Sequence, residues 1–262
     1  MKVVISAGGT GGHIYPAIAI INKIKEEEPN SDILYIGTSD RMEKDLIPQL
    51  GIKYEEITIS GLKRKLTLEN VKVLYKFLKA RIECKKIIKE FNPDVVIGAG
   101  GYVTGPVIWA GKKLGKKTFI HEQNSVVGLS NKYLTKYADK IGVSFESTMN
   151  SFPKEKVVLT GNPCSEKAIN MKKANKEDYG LNKEKKLVLI VMGSLGSQTV
   201  NDKITTIILT AIPISKSKYI FAIPHFDLGS LLSIIIHLYI PFVNEIPHFY
   251  LYTKLKLEFM IK

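Results

Sequence analysis

Val3-Val4-Ile5-Ser6-Ala7-Gly8-Gly9-Thr10-Gly11-Gly12-His13 decides the fold of this chain. A short apolar run with the composition of a buried strand enters a loop of four glycines. Helical periodicity begins directly after it. Glycine lacks a Cβ, so such a loop turns sharply and brings its backbone N–H groups close to a ligand. The helix start adds unpaired N–H groups and the positive end of a dipole. Together they favour a phosphate, diphosphate or other anionic group. A tight turn without a ligand is the alternative, although four glycines exceed what a turn needs. His13 stands at the mouth, where the helix end disfavours an imidazolium and leaves a neutral ring as a candidate base.

The spacing is not Gly-x-Gly-x-x-Gly. The second strand, Ile33-Leu34-Tyr35-Ile36, runs into Gly37-Thr38-Ser39 without the acidic residue that would hold a ribose. A nucleotide-sugar enzyme is therefore favoured over a nicotinamide or flavin enzyme. The net charge of +13 implies an anionic partner or simply a lysine-rich proteome. Cys84 and Cys164 have no metal-ligand spacing and suit free thiols of a reducing compartment. The first residues are too short an apolar run for a signal peptide. No stretch reaches the roughly 18 apolar residues of a spanning helix. The expectation is a cytoplasmic protein, at most peripheral to a membrane.

Downstream, Ile14, Ala17, Ile18, Ile21 and Ile24 share one helical face, with Pro16 in the first turn. A second helix is expected from Asp40, with Asp40 and Glu43 at capping-box spacing, and a third strand over Tyr54–Ile59. The basic loop Gly61-Leu62-Lys63-Arg64-Lys65-Leu66 and Thr67 as N-cap lead into a helix over 68–90. Its apolar side reads Leu68, Val71, Leu74, Tyr75, Leu78 and Ile82. Its polar side reads Lys72, Lys76, Lys79, Arg81, Lys85, Lys86 and Lys89. That helix is either packed on the core with a solvated basic face, or rests with the basic loop on anionic lipid headgroups.

The pattern then repeats. Val95-Val96-Ile97 enters a second glycine loop, Gly98-Ala99-Gly100-Gly101-Tyr102-Val103-Thr104-Gly105-Pro106, and Pro106 opens a helix to about Leu114. Thr118-Phe119-Ile120 delivers His121-Glu122-Gln123-Asn124 at a strand end. A helix over Leu129–Tyr137 and strands at Lys140–Val143 and Val157–Leu159 follow. Strands alternating with helices predict a parallel sheet covered on both faces, with ligands at the carboxyl ends of the strands. Gly161-Asn162-Pro163 reads as a hinge. Leu187–Met192 with Gly193-Ser194-Leu195-Gly196-Ser197 then echoes the opening of the chain as the head of a second unit, with a cleft between the two.

Those five motifs, in that order, resemble the bacterial MurG-type transferases over about residues 1–204. The resemblance implies a GT-B fold of two Rossmann-like parallel-sheet domains, here 1–161 for acceptor and membrane and 162–262 for donor. It implies inverting transfer of N-acetylglucosamine from UDP-N-acetylglucosamine to undecaprenyl-diphosphoryl-muramoyl-pentapeptide. It further implies peripheral attachment to the anionic cytoplasmic face of the cell membrane. Residue by residue, Thr10, Gly11, Gly12, Asn124 and Ser194 match donor-contacting positions. Gly101 and Tyr102 would face the lipid diphosphate. His13 and Glu122 match positions implicated in acceptor handling or catalysis, and either is the base. Where many members carry an arginine after Gly-Asn-Pro, Cys164-Ser165 stand here; Ser165 remains a donor contact, but the charge-assisted contact is missing. No Asp-x-Asp occurs, and neither a metal nor a cofactor is expected. Nucleic acid is not an expected partner, since no such module is present.

From about Thr205 the resemblance stops. Thr205–Lys262 is rich in isoleucine, leucine, tyrosine and phenylalanine, with prolines at 213, 224, 241 and 247. The expectation is an incomplete second domain with one good strand, its tail foreign to the family or read in a shifted frame. That leaves the activity of this form open. The alternative is a non-catalytic lipid- or membrane-binding remnant.

Overall fold

The computed structural model describes residues 1–61, 69–172, 175, 177, 189–191 and 220–222. The chain divides into two units, Met1–Met171 and Lys172–Lys262.

In the first unit the elements run β1 (Lys2–Ser6), α1 (Gly11–Glu27), β2 (Asp32–Thr38), α2 (Glu43–Gln49), β3 (Lys53–Ile57), α3 (Glu69–Phe91) and β4 (Val95–Gly98). They continue as α4 (Thr104–Lys113), β5 (Lys117–Glu122), α5 (Leu129–Leu134), β6 (Lys140–Val143), α6 (Glu146–Met149), β7 (Val157–Leu159) and α7 (Ser165–Ile169). The seven strands form one sheet in the order β3-β2-β1-β4-β5-β6-β7. Every pairing is parallel, with Val3 opposite Ile33 on one side and Val95 on the other.

Alternation along each strand builds two cores, one on each face. Val3, Ile5, Ile33 and Tyr35 pack against Ile14, Ala17 and Ile21 of α1. Val4, Leu34, Ile36 and Val96 join Ala80, Cys84 and Ile88 of α3 and Val107, Ile108 and Ala110 of α4. The strand order reverses between β1 and β4. Each of these strands is followed by a glycine loop, so both loops lie at the topological switch point, where parallel sheets hold ligands.

Three local expectations are corrected. The second helix starts at Glu43 rather than Asp40, because the Glu43 side chain turns away from the helix start and into the sheet edge. The long helix buries a different stripe: Ala80, Cys84 and Ile88 are enclosed, with Phe77, Ile87 and Phe91 packed against the core. Val71, Leu74, Tyr75, Leu78 and Ile82 are exposed, Tyr75 at 70% and Ile82 at 74%. Small Ala80 and Cys84 allow α3 to lie close over α4, which the bulkier stripe would prevent. Arg81 is half-buried, its guanidinium 3.6 Å from the Trp109 ring centre, and so leaves the solvated basic face assigned to it. Thr67 and the basic stretch Lys63-Arg64-Lys65 lie outside the described residues.

Of the second unit, the structure describes β8 (Leu189–Val191) and β9 (Ile220–Ala222), which pair in parallel with Leu189 opposite Ile220. The expectation of one good strand there is corrected by β9, which comes from the stretch with no family resemblance. Two β-prone residues, Ile220 and Phe221, followed by Ala222, suffice for a short partner, although no periodicity around them marks it. Ser194 and its glycine loop lie outside the described residues.

Candidate active site

The first loop carries Thr10 as N-cap of α1, with extended backbone, and its hydroxyl does not cap the helix. It turns to the His13 ring instead, with Oγ1 3.3 Å from Nδ1. An N-cap hydroxyl normally occupies an N–H of the first turn. Here the first-turn N–H groups of Gly11 and Gly12, which have no intrahelical carbonyl to reach, keep their capacity for an anion. The Gly9 N–H points elsewhere, toward Glu43 Oε2 at 3.5 Å.

The second loop locks onto the first. The Gly8 N–H donates to the Gly100 carbonyl (3.3 Å) and the Ala99 N–H to the Ser6 carbonyl (2.9 Å). Gly100 and Gly101 have φ of +100° and +90°. A Cβ on Gly101 would strike the Gly8 carbonyl, and one on Gly100 would strike the His13 ring. Only glycine satisfies both the backbone angle and the approach. Gln123 ties the β5 end to both loops by donating from Nε2 to the carbonyls of Gly12 (3.1 Å) and Ala99 (3.0 Å). Tyr102 packs over Gly9 and Gly61, its ring atoms 3.7 and 3.3 Å from where their Cβ atoms would stand.

Two carboxylates lie buried beneath this surface. Glu43 accepts from the Thr38 hydroxyl (2.7 Å) and the Thr38 N–H (3.4 Å), and lies against Gly8. Glu122 accepts from Asn124 N (3.0 Å) and Nδ2 (2.8 Å), Gly128 N (2.9 Å) and Asn131 Nδ2 (2.9 Å). Those four bonds use the acceptor positions a carboxylate offers. Burial pulls the His13 pKa below the ordinary imidazole value; a hydrogen bond to Gly8 and the charges of Glu122 and Glu43 oppose it. His13 is therefore a neutral ring near pH 7. Burial also lowers the neighbouring His121, whose Nε2 lies 3.1 Å from both Thr160 Oγ1 and the Gly161 carbonyl.

The structure thus brings Thr10, Gly11, Gly12, His13, Gly101, Tyr102 and Glu122 together at one sheet edge, and Asn124 stands exposed on the Glu122 turn. Ser165 opens α7, exposed, and α7 reaches α1 through Glu166 and Lys23 at 3.8 Å. Sequence reasoning missed the parts played by Glu43 and Gln123. The signal for Glu43 was a carboxylate five residues beyond the end of a buried strand, which capping-box spacing from Asp40 disguised. Among the described residues, no cluster of three or more His, Cys, Asp or Glu side chains is arranged to hold a metal ion.

A seven-stranded Rossmann-like parallel sheet with two interlocked glycine loops at its switch point is the N-terminal unit of a GT-B type fold. Similarity to known proteins narrows this. The model of the glycosyltransferase family 28 N-terminal domain matches residues 3–143. A Bacillus cereus protein is 49% identical over 203 residues, covering 77% of this chain and 56% of the relative; a Pediococcus pentosaceus protein is 48% identical over 201. Each is named as a UDP-N-acetylglucosamine--N-acetylmuramyl-(pentapeptide) pyrophosphoryl-undecaprenol N-acetylglucosamine transferase. Among solved structures, Acinetobacter baumannii MurG is similar with a TM-score of 0.64 and 26% identity, covering 90% of this chain and 64% of that one. A Neisseria meningitidis UDP-GlcNAc 2-epimerase shares the fold at 0.57 and 15%, covering 90% and 69%. The chain belongs to glycosyltransferase family 28. It spans about half the length of the curated relatives it matches.

Proposed function

We propose that this chain derives from, and supplies the acceptor half of, an inverting transferase that moves N-acetylglucosamine from UDP-N-acetylglucosamine to undecaprenyl-diphosphoryl-muramoyl-pentapeptide. The observation that carries this reading is the pair of interlocked glycine loops beneath a neutral His13. In it, His13 takes the proton of the acceptor hydroxyl as that oxygen attacks the anomeric carbon and UDP departs. Glu122 spends its carboxylate on the Asn124–Asn131 turn and is the positioning residue of the pair. Thr10, Gly11, Gly12 and Asn124 contact the donor, as do Ser165 and Ser194 from the later segments. Gly101 and Tyr102 meet the acceptor diphosphate, where backbone N–H groups suit its oxygens.

The exposed apolar face of α3 (Val71, Leu74, Tyr75, Leu78 and Ile82), with Lys72, Lys76, Lys79, Lys85 and Lys86 exposed beside it, supports seating on an anionic membrane surface. The proposed location is the cytoplasmic face of the cell membrane. No helix among the described residues is long and apolar enough to cross a membrane.

The test is transfer of labelled N-acetylglucosamine to a short-chain lipid acceptor by the full chain, with His13→Ala beside it. Turnover that His13→Ala lowers by about 100-fold or more supports both the reaction and the base. Near-normal turnover of the variant at saturating substrate removes His13 from that role. A chain that binds anionic vesicles but neither binds UDP-N-acetylglucosamine nor turns over is a non-catalytic membrane-binding remnant.

A further inference from the structure

His13 is the third residue of α1, and its ring stands between the two glycine loops. Its backbone N–H donates to the Thr10 carbonyl at 3.0 Å, so the N-cap hydroxyl is not needed there. That hydroxyl lies 3.3 Å from His13 Nδ1. It also stands beside Gly12, 3.8 Å from where a Cβ on that residue would be. It therefore borders the uncapped N–H groups of the first turn, and an anion held on them reaches the same oxygen. The opposite edge of the ring faces the second loop, with Nε2 3.1 Å from where a Cβ on Gly100 would stand. One ring nitrogen looks to the first loop and the other to the second.

A neutral imidazole carries one hydrogen, and a hydroxyl donates one. Only one of those two hydrogens fits between Thr10 Oγ1 and Nδ1. When the hydroxyl donates to Nδ1, the ring hydrogen sits on Nε2, and that nitrogen takes no further proton. When the hydroxyl donates to an anion, its lone pairs face Nδ1. The ring hydrogen then belongs on Nδ1, and Nε2 is free. The Gly8 backbone, to which the ring also bonds, competes for that hydrogen. Which nitrogen carries it is thus set by the bond the other makes.

We infer that Thr10 is a positioning residue that arms His13: its hydroxyl, drawn to the diphosphate of the donor, fixes the imidazole hydrogen on Nδ1 and leaves Nε2, on the side of the second loop, to receive the acceptor proton. The inference rests on the donor and base assignments proposed above. The proton count closes. The acceptor hydroxyl gives its proton to Nε2, the ring becomes an imidazolium, and Nδ1–H stays on Thr10 Oγ1. The base is then available only while the donor is in place, so an acceptor that arrives alone is not deprotonated.

The experiment follows the His13 ring of the full chain by long-range proton–nitrogen NMR with isotope-labelled histidine, at about pH 8, where the ring is neutral. His13→Gln identifies the resonances by their loss. Wild type, Thr10→Val and Thr10→Ser are each titrated with UDP to saturation. The wild type should carry its ring hydrogen on Nε2 without UDP and on Nδ1 with it. Thr10→Val should bind UDP about tenfold more weakly and keep one tautomer throughout, and Thr10→Ser should restore the change. The thermal midpoint of Thr10→Val should hold. Its hydroxyl caps no N–H, and the extended backbone at Thr10, φ −146° and ψ 157°, suits a β-branched residue. A wild-type tautomer unchanged at saturating UDP overturns the inference alone, as does a change that Thr10→Val retains. Abolished UDP binding in Thr10→Val makes the hydroxyl a donor anchor and overturns it as stated. A wild-type chain that binds no UDP overturns the donor assignment of this loop, and the inference with it.

Discussion

The sheet edge at β1 and β4 and the outer face of α3 are made of opposite materials. The edge is built from backbone: carbonyl of Gly8 against Gly101, N–H of Gly8 on Gly100, first-turn N–H groups left uncapped by Thr10. The α3 face is built from side chains alone, five large apolar groups standing in the open between lysines. A site made of backbone tolerates almost no substitution, because the required residue is the one without a side chain. A face made of side chains tolerates many, because nothing among the described residues is packed on it. The fold should therefore be fragile at the first and indifferent at the second.

The largest effect is expected at Gly101→Ala. The substitution combines a left-handed φ with a Cβ driven into the Gly8 carbonyl, and should cost about 3 kcal/mol in a denaturation series. A variant as stable as the parent would mean that the two loops are not interlocked. Next comes the inner stripe of α3: Ala80→Leu overfills the contact with α4 and should cost about 1–3 kcal/mol. A neutral result there would return the buried stripe to Val71, Leu74, Leu78 and Ile82.

The acid response is smaller and shared between the regions around His13 and His121. Both imidazoles are held below their ordinary value, chiefly by burial. The unfolded chain takes up their protons at a higher pH, near 6.5, than the folded chain does. Stability is full above that value and falls as pH drops through the folded values. The urea midpoint should decline from pH 7.5 to 5.5, and His121→Gln should flatten the decline; a flat parent curve would contradict the burial of these rings. Smallest is Ile82→Ser, which should change stability by no more than about 0.5 kcal/mol yet reduce sedimentation with anionic vesicles. Unchanged vesicle binding would detach the membrane reading from this face.

The same contrast explains what was legible beforehand. Gly8, Gly9, Gly100 and Gly101 announce themselves, because backbone approach and left-handed angles leave no other residue type. Strand and helix alternation fixed the parallel sheet, and His13 followed from its place at the first helix start. For α3, periodicity pointed to the stripe of Val71, Leu74, Tyr75, Leu78 and Ile82 alone, and finding the buried one requires knowing that Ala80 and Cys84 must clear α4. That is a fact of distance between helices, and hydrophobicity favours the wrong stripe. Glu43 was misread for a related reason: its spacing from Asp40 suits a cap, while the end of β2, where Thr38 offers a hydroxyl, claims the carboxylate. Asn124 and Gly128 both donate to Glu122, a turn that the motif suggests but whose hydrogen bonds only folding specifies.

The pairing of β1 with β4 also sets an order of events. β1 ends at Ser6 and β4 begins at Val95, so during synthesis the first glycine loop leaves the ribosome long before the strand that completes it. Until β4 arrives, β1 has only β2 beside it, and Gly8 has no Gly100 to hold. Closing so long a connection is slow relative to local helix formation. The interlocked pair of glycine loops is therefore a late product of folding. A chain arrested before about residue 101 would carry the signature loop without its partner.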